Sequence, residues 1–192
     1  MAPRGPVVLT CGHSNRSLSE FLALLRAHGI TRVVDIRRYP SSRRHPQFSR
    51  DTLSGALAQA GIAYLHEEAL GGHREPRPDS TNTGLGAGWL RGYADHVATE
   101  AFRMALGRVV AVARDEEARG GRVAVACAEK DPANCHRQIL ADALVARGAR
   151  VLHVVDETDP RPHDSPRVAR FQDGTVSYPE PPPVQPLLDF GG

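Results

Sequence analysis

Five short runs of β-branched and small apolar residues alternate along the chain with segments of helical period, and that alternation leaves few ways to fold. The runs are VVLTCG at 7–12, TRVVDIR at 31–37, IAYLHE at 62–67, RVAVACAE at 122–129 and RVLHVVD at 150–156. Between the first two, Leu18, Phe21, Leu22 and Leu25 recur at helical spacing, Ser17 and Glu20 have the spacing of a capping box, and Gly29 stops the helix. Ser49, Leu53, Leu57 and Gly61 mark a second helix. Phe102, Leu106, Val109, Val110 and Ala113 mark a long third helix, and Ile139, Leu140, Ala143 and Leu144 stripe a fourth. Strands separated by helices pair in parallel through right-handed crossovers, with both faces of the sheet covered. The expectation is an α/β, Rossmann-like three-layer domain over residues 1–156, with a mainly parallel five-stranded sheet in the order 3-2-1-4-5.

Residues 157–192 have a different character. They contain eight of the fifteen prolines and too few apolar residues for a core, so a proline-rich extended C-terminal tail is expected there. No apolar run reaches the length of a membrane span, and MAPRGPVVLTCG has no secretory pattern. Three irregularly spaced cysteines suit reduced thiols better than a disulfide framework. A cytoplasmic protein without membrane contact is the expectation. The net charge of +2 is uninformative, but Arg37, Arg38, Arg43, Arg44 and Arg50 crowd one short segment.

In open parallel sheets, ligands bind beyond the carboxyl ends of the strands. Four of those exits carry GHSNR (12–16), DIRRYPSSRRHP (35–46), HEEALGGHR (66–74) and CAEKDPANCHR (127–137), whereas the opposite ends read HGITR, QAGIA, RGGRV and RGARV. Ionisable and glycine-rich sequence therefore gathers at one edge. TCGHSNRS, VVDIRRYPSSRRHPQFS, YLHEEALGG and VACAEKDPANCHR, in that order over roughly residues 8–156, closely resemble the signature segments of the domain of unknown function 488 family. The resemblance implies a compact α/β protein in which the His-Ser-Asn turn, the Asp-x-Arg exit and the Cys-Ala-Glu…Cys-His-Arg segment share one pocket. It implies no activity. Cys11 occupies a position that is usually aliphatic in that pattern.

CAEKDPANCHR admits three readings. As a metal site it lacks a C-x2-C knuckle, and Cys135 and His136 would diverge as neighbours on a helix, so no metal and no other cofactor is expected. As a nucleophile site it offers Cys127 at a strand end and Cys135 after Asn134, a natural N-cap, where a helix dipole favours thiolate. As an acid/base site it offers Glu129, which Asp35 would join from the neighbouring exit. The plain alternatives are core packing for Cys127, a bond to Arg37 or backbone amides for Asp35, and turn roles for His13 and Ser14. The candidate catalytic residues are Glu129, Asp35, Cys127, Cys135 and His13. For substrate binding they are Ser14, Asn15, Arg16, Arg37, Arg43, Gly71, Gly72, His136 and Arg137. Forked guanidinium groups suit phosphate.

The expected function is an enzyme, a hydrolase or transferase, acting on a phosphate-bearing nucleotide or nucleic-acid substrate by carboxylate or thiol chemistry. The alternative is a non-catalytic nucleic-acid-binding or DNA-repair-associated module. A dinucleotide enzyme is disfavoured because no G-x-G-x-x-G follows the first strand. In the tail, Gln185 to Phe190 (QPLLDF) resembles the peptide that sliding clamps bind in an apolar groove, so a clamp is a further candidate partner.

Overall fold

A computed structural model describes residues 5–41, 44–86 and 88–180. β1 (Val7–Gly12) leads through α1 (Leu18–Ala27) to β2 (Arg32–Asp35), and α2 (Arg50–Gln59) connects to β3 (Ala63–His66). Two helices, α3 (Gly88–Val97) and α4 (Glu100–Ala118), precede β4 (Val123–Cys127). Then come α5 (Arg137–Ala146), β5 (Arg150–His153), β6 (Arg161–Pro162) and a hairpin of β7 (Arg170–Gln172) and β8 (Thr175–Ser177). The capping box is formed: Ser17 Oγ accepts from Glu20 N at 3.2 Å, and Ser17 N donates to the Glu20 carboxylate at 2.6 Å. Gly29 and Gly61 take φ of 63° and 74° where the first two helices end, a region open to glycine at little penalty.

Among the described residues the main sheet has six strands in the order β3-β2-β4-β1-β5-β6, parallel except for β6. This corrects the expected five-stranded order, because β4 lies between β1 and β2. The first crossover skips one position, and the chain returns through α3 and α4 to fill it. β4 is suited to that central place, since VAVAC is buried at all five residues. Its Ala124 and Ala126 join the cluster under α1 and α2, where Phe21 and Phe48 fill the space beside small side chains. Val123, Val125 and Cys127 face the larger cluster with Phe102, Leu106 and Leu140. The tips of β1 and β4 are neighbours as expected, with Gly12 opposite Cys127.

Two further corrections concern the ends of long loops. Gly88–Val97 form α3, which was not foreseen; Asp95 on it accepts from Arg77 N, Ser80 Oγ and Asn82 Nδ2 and so orders the preceding loop. The segment expected to be an extended tail carries β6 and the β7–β8 hairpin, and Val176 and Tyr178 are buried. Side-chain bonds hold it in place. Tyr178 Oη donates to Asp142 at 2.6 Å, and His163 Nε2 donates to the same carboxylate at 2.8 Å. Behind His163 a chain of bonds runs inward: His153 Nε2 donates to His163 Nδ1 (2.9 Å), Thr10 Oγ1 to His153 Nδ1 (2.7 Å), and Arg137 Nη1 to Thr10 Oγ1 (3.2 Å). The Gln185–Phe190 peptide lies outside the described residues. Among the described residues no helix is long and apolar enough to cross a membrane.

Candidate functional site

Backbone bonds continue past the β1/β4 ladder and clamp the two exits together: His13 N donates to Cys127 O at 3.1 Å, and Ser14 N to Ala128 O at 2.7 Å. Gly12 is required here, since a Cβ on it would lie 1.7 Å from the carbonyl oxygen of Glu129. Beside this junction opens a cavity of about 530 Å³, lined by Arg37, Arg38, Tyr39, Gly72, His73, Trp89, Cys127, Ala128, Glu129, Asn134, Cys135 and His136. Six of the residues expected at a site are in that wall: Arg37, Gly72, Cys127, Glu129, Cys135 and His136.

The floor is the cluster of Cys127, Cys135 and His136, all three buried. Pro132–Asn134 form a short 3-10 turn capped by Asp131. Cys135 then adopts an extended backbone, φ −138° and ψ 149°, and His136 is the N-cap of α5. Cys135 therefore does not sit in the first helical turn after an Asn134 cap. The objection that Cys135 and His136 diverge on a helix fails for the same reason. His136 Nδ1 lies 3.7 Å from Cys135 Sγ and 4.0 Å from Cys127 Sγ. The Cys135 thiol is pushed down to about 3 by the Cys127 thiol that hydrogen-bonds it, aided by His136 and Arg137 against the effect of burial. Its neighbour Cys127 is pushed up by the same hydrogen bond and by burial. His136 Nε2 is buried with no hydrogen-bond partner among the described residues. Gly72 permits the packing, because a Cβ there would lie 2.7 Å from His136 Nδ1.

The rim was not foreseen. Tyr39 and Trp89 are 62% and 45% exposed, unusual for large aromatic side chains beside a cavity. Arg38 stands over the Tyr39 ring at 5.2 Å and donates to His73 O at 2.8 Å, tying the exit of β2 to the Gly71–Arg74 segment. His73 has φ 58°, a left-handed backbone rare for residues with a side chain. Trp89 is the only tryptophan of the chain and follows a glycine-rich stretch, the one sequence signal that marked it out. Glu129 is exposed on this rim.

Other candidates are bracing groups outside the cavity wall. Asp35 is fully buried and accepts from Arg37 N, Nε and Nη2 at 3.1, 2.9 and 2.6 Å and from Tyr64 Oη at 2.8 Å. Glu129 lines the cavity and Asp35 is not among the lining residues. Arg37 Nη1 donates to Phe48 O at 2.8 Å, leaving its guanidinium largely committed to the protein. His13 is stacked on Phe48 at 4.1 Å, and burial pushes its imidazole down to about 4, so it is neutral. Arg16 donates to Gly12 O and Val155 O, spanning the ends of β1 and β5. Arg137 is fully buried and donates to Thr10 Oγ1, Glu129 O and Lys130 O, holding the exit loop of β4, while its Nε has no hydrogen-bond partner among the described residues. Ser14 takes φ 51° in the turn, Asn15 is exposed, and Gly71 packs against Arg38 Cβ, where an added Cβ would be 2.6 Å away. Arg43 lies outside the described residues.

No curated protein and no solved structure matches the chain. One family does: the sequence pattern described as domain of unknown function DUF488 matches residues 17–144, from the cap of α1 to within α5, so the GHSNR exit lies just before it.

Proposed function

The chain belongs to the DUF488 family, whose description assigns no activity, and from the cavity itself we propose that it is an enzyme of the hydrolase or transferase class acting on a phosphate-bearing nucleotide or nucleotide end. The observation that carries this reading is a buried floor of two thiols and an imidazole beneath a rim of exposed tyrosine and tryptophan and a half-buried arginine. Flat rings at a cavity mouth suit stacking on a base, which is worth about 1–3 kcal/mol per base. Arg38 and His73 line the same wall and are the groups best placed to meet phosphate, since Arg37 is held by Asp35. The substrate's reacting atom then comes to Cys127, Cys135 and His136 at the floor. A volume of about 530 Å³ is in the range of small-molecule sites and favours a bound nucleotide over a long open groove for duplex nucleic acid.

Trp89, as the only tryptophan, gives a direct assay. Titration with a panel of nucleoside mono-, di- and triphosphates should quench its fluorescence, and Arg38→Ala should weaken the effective ligand. Untargeted mass spectrometry of the purified protein should find the same class of compound. Cys135→Ser should keep the quenching and lose turnover of that ligand. A Trp89 signal indifferent to the whole panel, with no co-purifying phosphate ester, would overturn the reading.

A further inference from the structure

The floor of the cavity has the geometry of a metal centre. Its three donor atoms, Cys127 Sγ, Cys135 Sγ and His136 Nδ1, lie within 4.8 Å of one another. Tetrahedral zinc, with Zn–S of about 2.3 Å and Zn–N of about 2.0–2.1 Å, sets edges of about 3.8 Å between sulfurs and about 3.6 Å between sulfur and nitrogen. The observed sulfur–nitrogen separations of 3.7 and 4.0 Å are close to that edge. One ring nitrogen has a single lone pair or a single proton, so it serves one sulfur at a time. A cation seated between the three satisfies all of them at once.

We propose that Cys127, Cys135 and His136 bind one zinc ion whose fourth position faces the cavity and holds a water molecule. All three ligands line the cavity, and three protein ligands with one open position are the pattern of a catalytic rather than a structural zinc site. Two thiolates and a neutral imidazole balance the dication, so the buried centre has no net charge. Soft sulfur donors also select against magnesium and calcium. Gly72 keeps the space beside His136 Nδ1 clear, since an added Cβ there would lie 2.7 Å from that nitrogen.

This assignment rests on the preceding reading only in its choice of reaction. Glu129, two residues past Cys127, lines the same cavity. In a hydrolysis, the zinc-bound water gives a proton to the Glu129 carboxylate as its oxygen bonds to the electrophilic carbon or phosphorus. The bond to the leaving group then breaks, and Glu129 returns the proton to that group. Nothing is oxidised or reduced.

The test is elemental analysis of the tag-free chain, purified with reductant and then exposed to zinc sulfate. One zinc per chain is expected. Cys135→Ser, Cys127→Ser and His136→Ala should each lower the zinc retained well below one per chain. Cys11→Ser, which alters a buried thiol of the opposite cluster, and Glu129→Gln should retain it. Replacement by cobalt(II) should give thiolate-to-metal charge transfer and the visible bands of a tetrahedral ion, which Cys135→Ser should diminish. Circular dichroism checks folding, and if the ligand variants unfold, the cobalt spectrum of the unaltered chain decides alone. A folded, reduced chain that takes up no zinc, or a tetrahedral cobalt spectrum without sulfur character, overturns the metal site. Trp89 quenching by nucleotides in chelator-treated protein separates the two proposals: quenching without zinc uptake leaves the substrate reading standing alone. Zinc uptake with no quenching leaves the metal centre alone.

Discussion

Replacing Asp35 by Asn tests whether that carboxylate is a brace or a carrier of protons. It receives four hydrogen bonds, three from Arg37 and one from Tyr64, and its side chain is 1% exposed. An asparagine presents one oxygen and one amide, so part of the guanidinium fork meets a donor and the Arg37 charge loses its counter-ion in a buried setting. Removing one partner of a buried pair destabilises by about 3–5 kcal/mol. For a chain of this size each kcal/mol shifts the melting temperature by about 2–4 °C, so Asp35→Asn should melt about 6–20 °C lower. Removing the stranded charge as well should recover part of the loss. The double variant Asp35→Asn/Arg37→Met is therefore expected to be more stable than the single one by at least about 1 kcal/mol. Thermal melts followed by circular dichroism and urea unfolding of the three proteins measure both terms. If Asp35→Asn melts within about 3 °C of the unaltered chain, the ion pair is not what holds Asp35, and the residue returns as a catalytic candidate.

Gly12→Ala should separate the tips of β1 and β4, because its Cβ would overlap the Glu129 carbonyl at 1.7 Å; lost amide-exchange protection at His13 and Ser14 would register it. Tyr178→Phe removes a 2.6 Å bond to the Asp142 carboxylate and should destabilise the C-terminal segment by about 1.5–3 kcal/mol, seen as faster proteolysis after Asp156. Burial, His163 and Arg137 push His153 down to about 4, so the fold favours its neutral form. That stability is complete above the ordinary histidine value near 6.5 and is lost as pH falls toward about 4; His153→Gln should flatten the decline in urea midpoint over this window.

The alternation of strand and helix was legible because each element carries its own signal, such as the Ser17/Glu20 box or the apolar stripe of α4. The strand order was not, since a crossover reads the same whether its strand lands beside the first or one place beyond. Residues 161–178 were missed because two- and three-residue strands have no period to detect; Tyr178 and His163 hold them through Asp142, a residue on a distant helix. At the site, the clustering of polar exits on one edge pointed to the cavity. It did not reveal that Asp35, Arg16 and Arg137 are occupied by backbone and neighbours, because partners that lie far apart in sequence decide whether a charge is free.

The wedged position of β4 also sets an order of events during synthesis. Among the described residues β1 pairs only with β4 and β5, and β2 reaches β1 only across β4. About 110 residues separate the end of β1 from the start of β4, a wait of about 6–22 s at a ribosomal rate of roughly 5–20 residues per second. Throughout that interval VVLTCG has no strand partner, while β2 and β3 can already form their ladder. An apolar strand with both edges open is an aggregation hazard, and for β1 it lasts until β4 is available to pair with it. Closure then comes from the C-terminal half, and the arrival of VAVAC joins two pieces that could not meet before it.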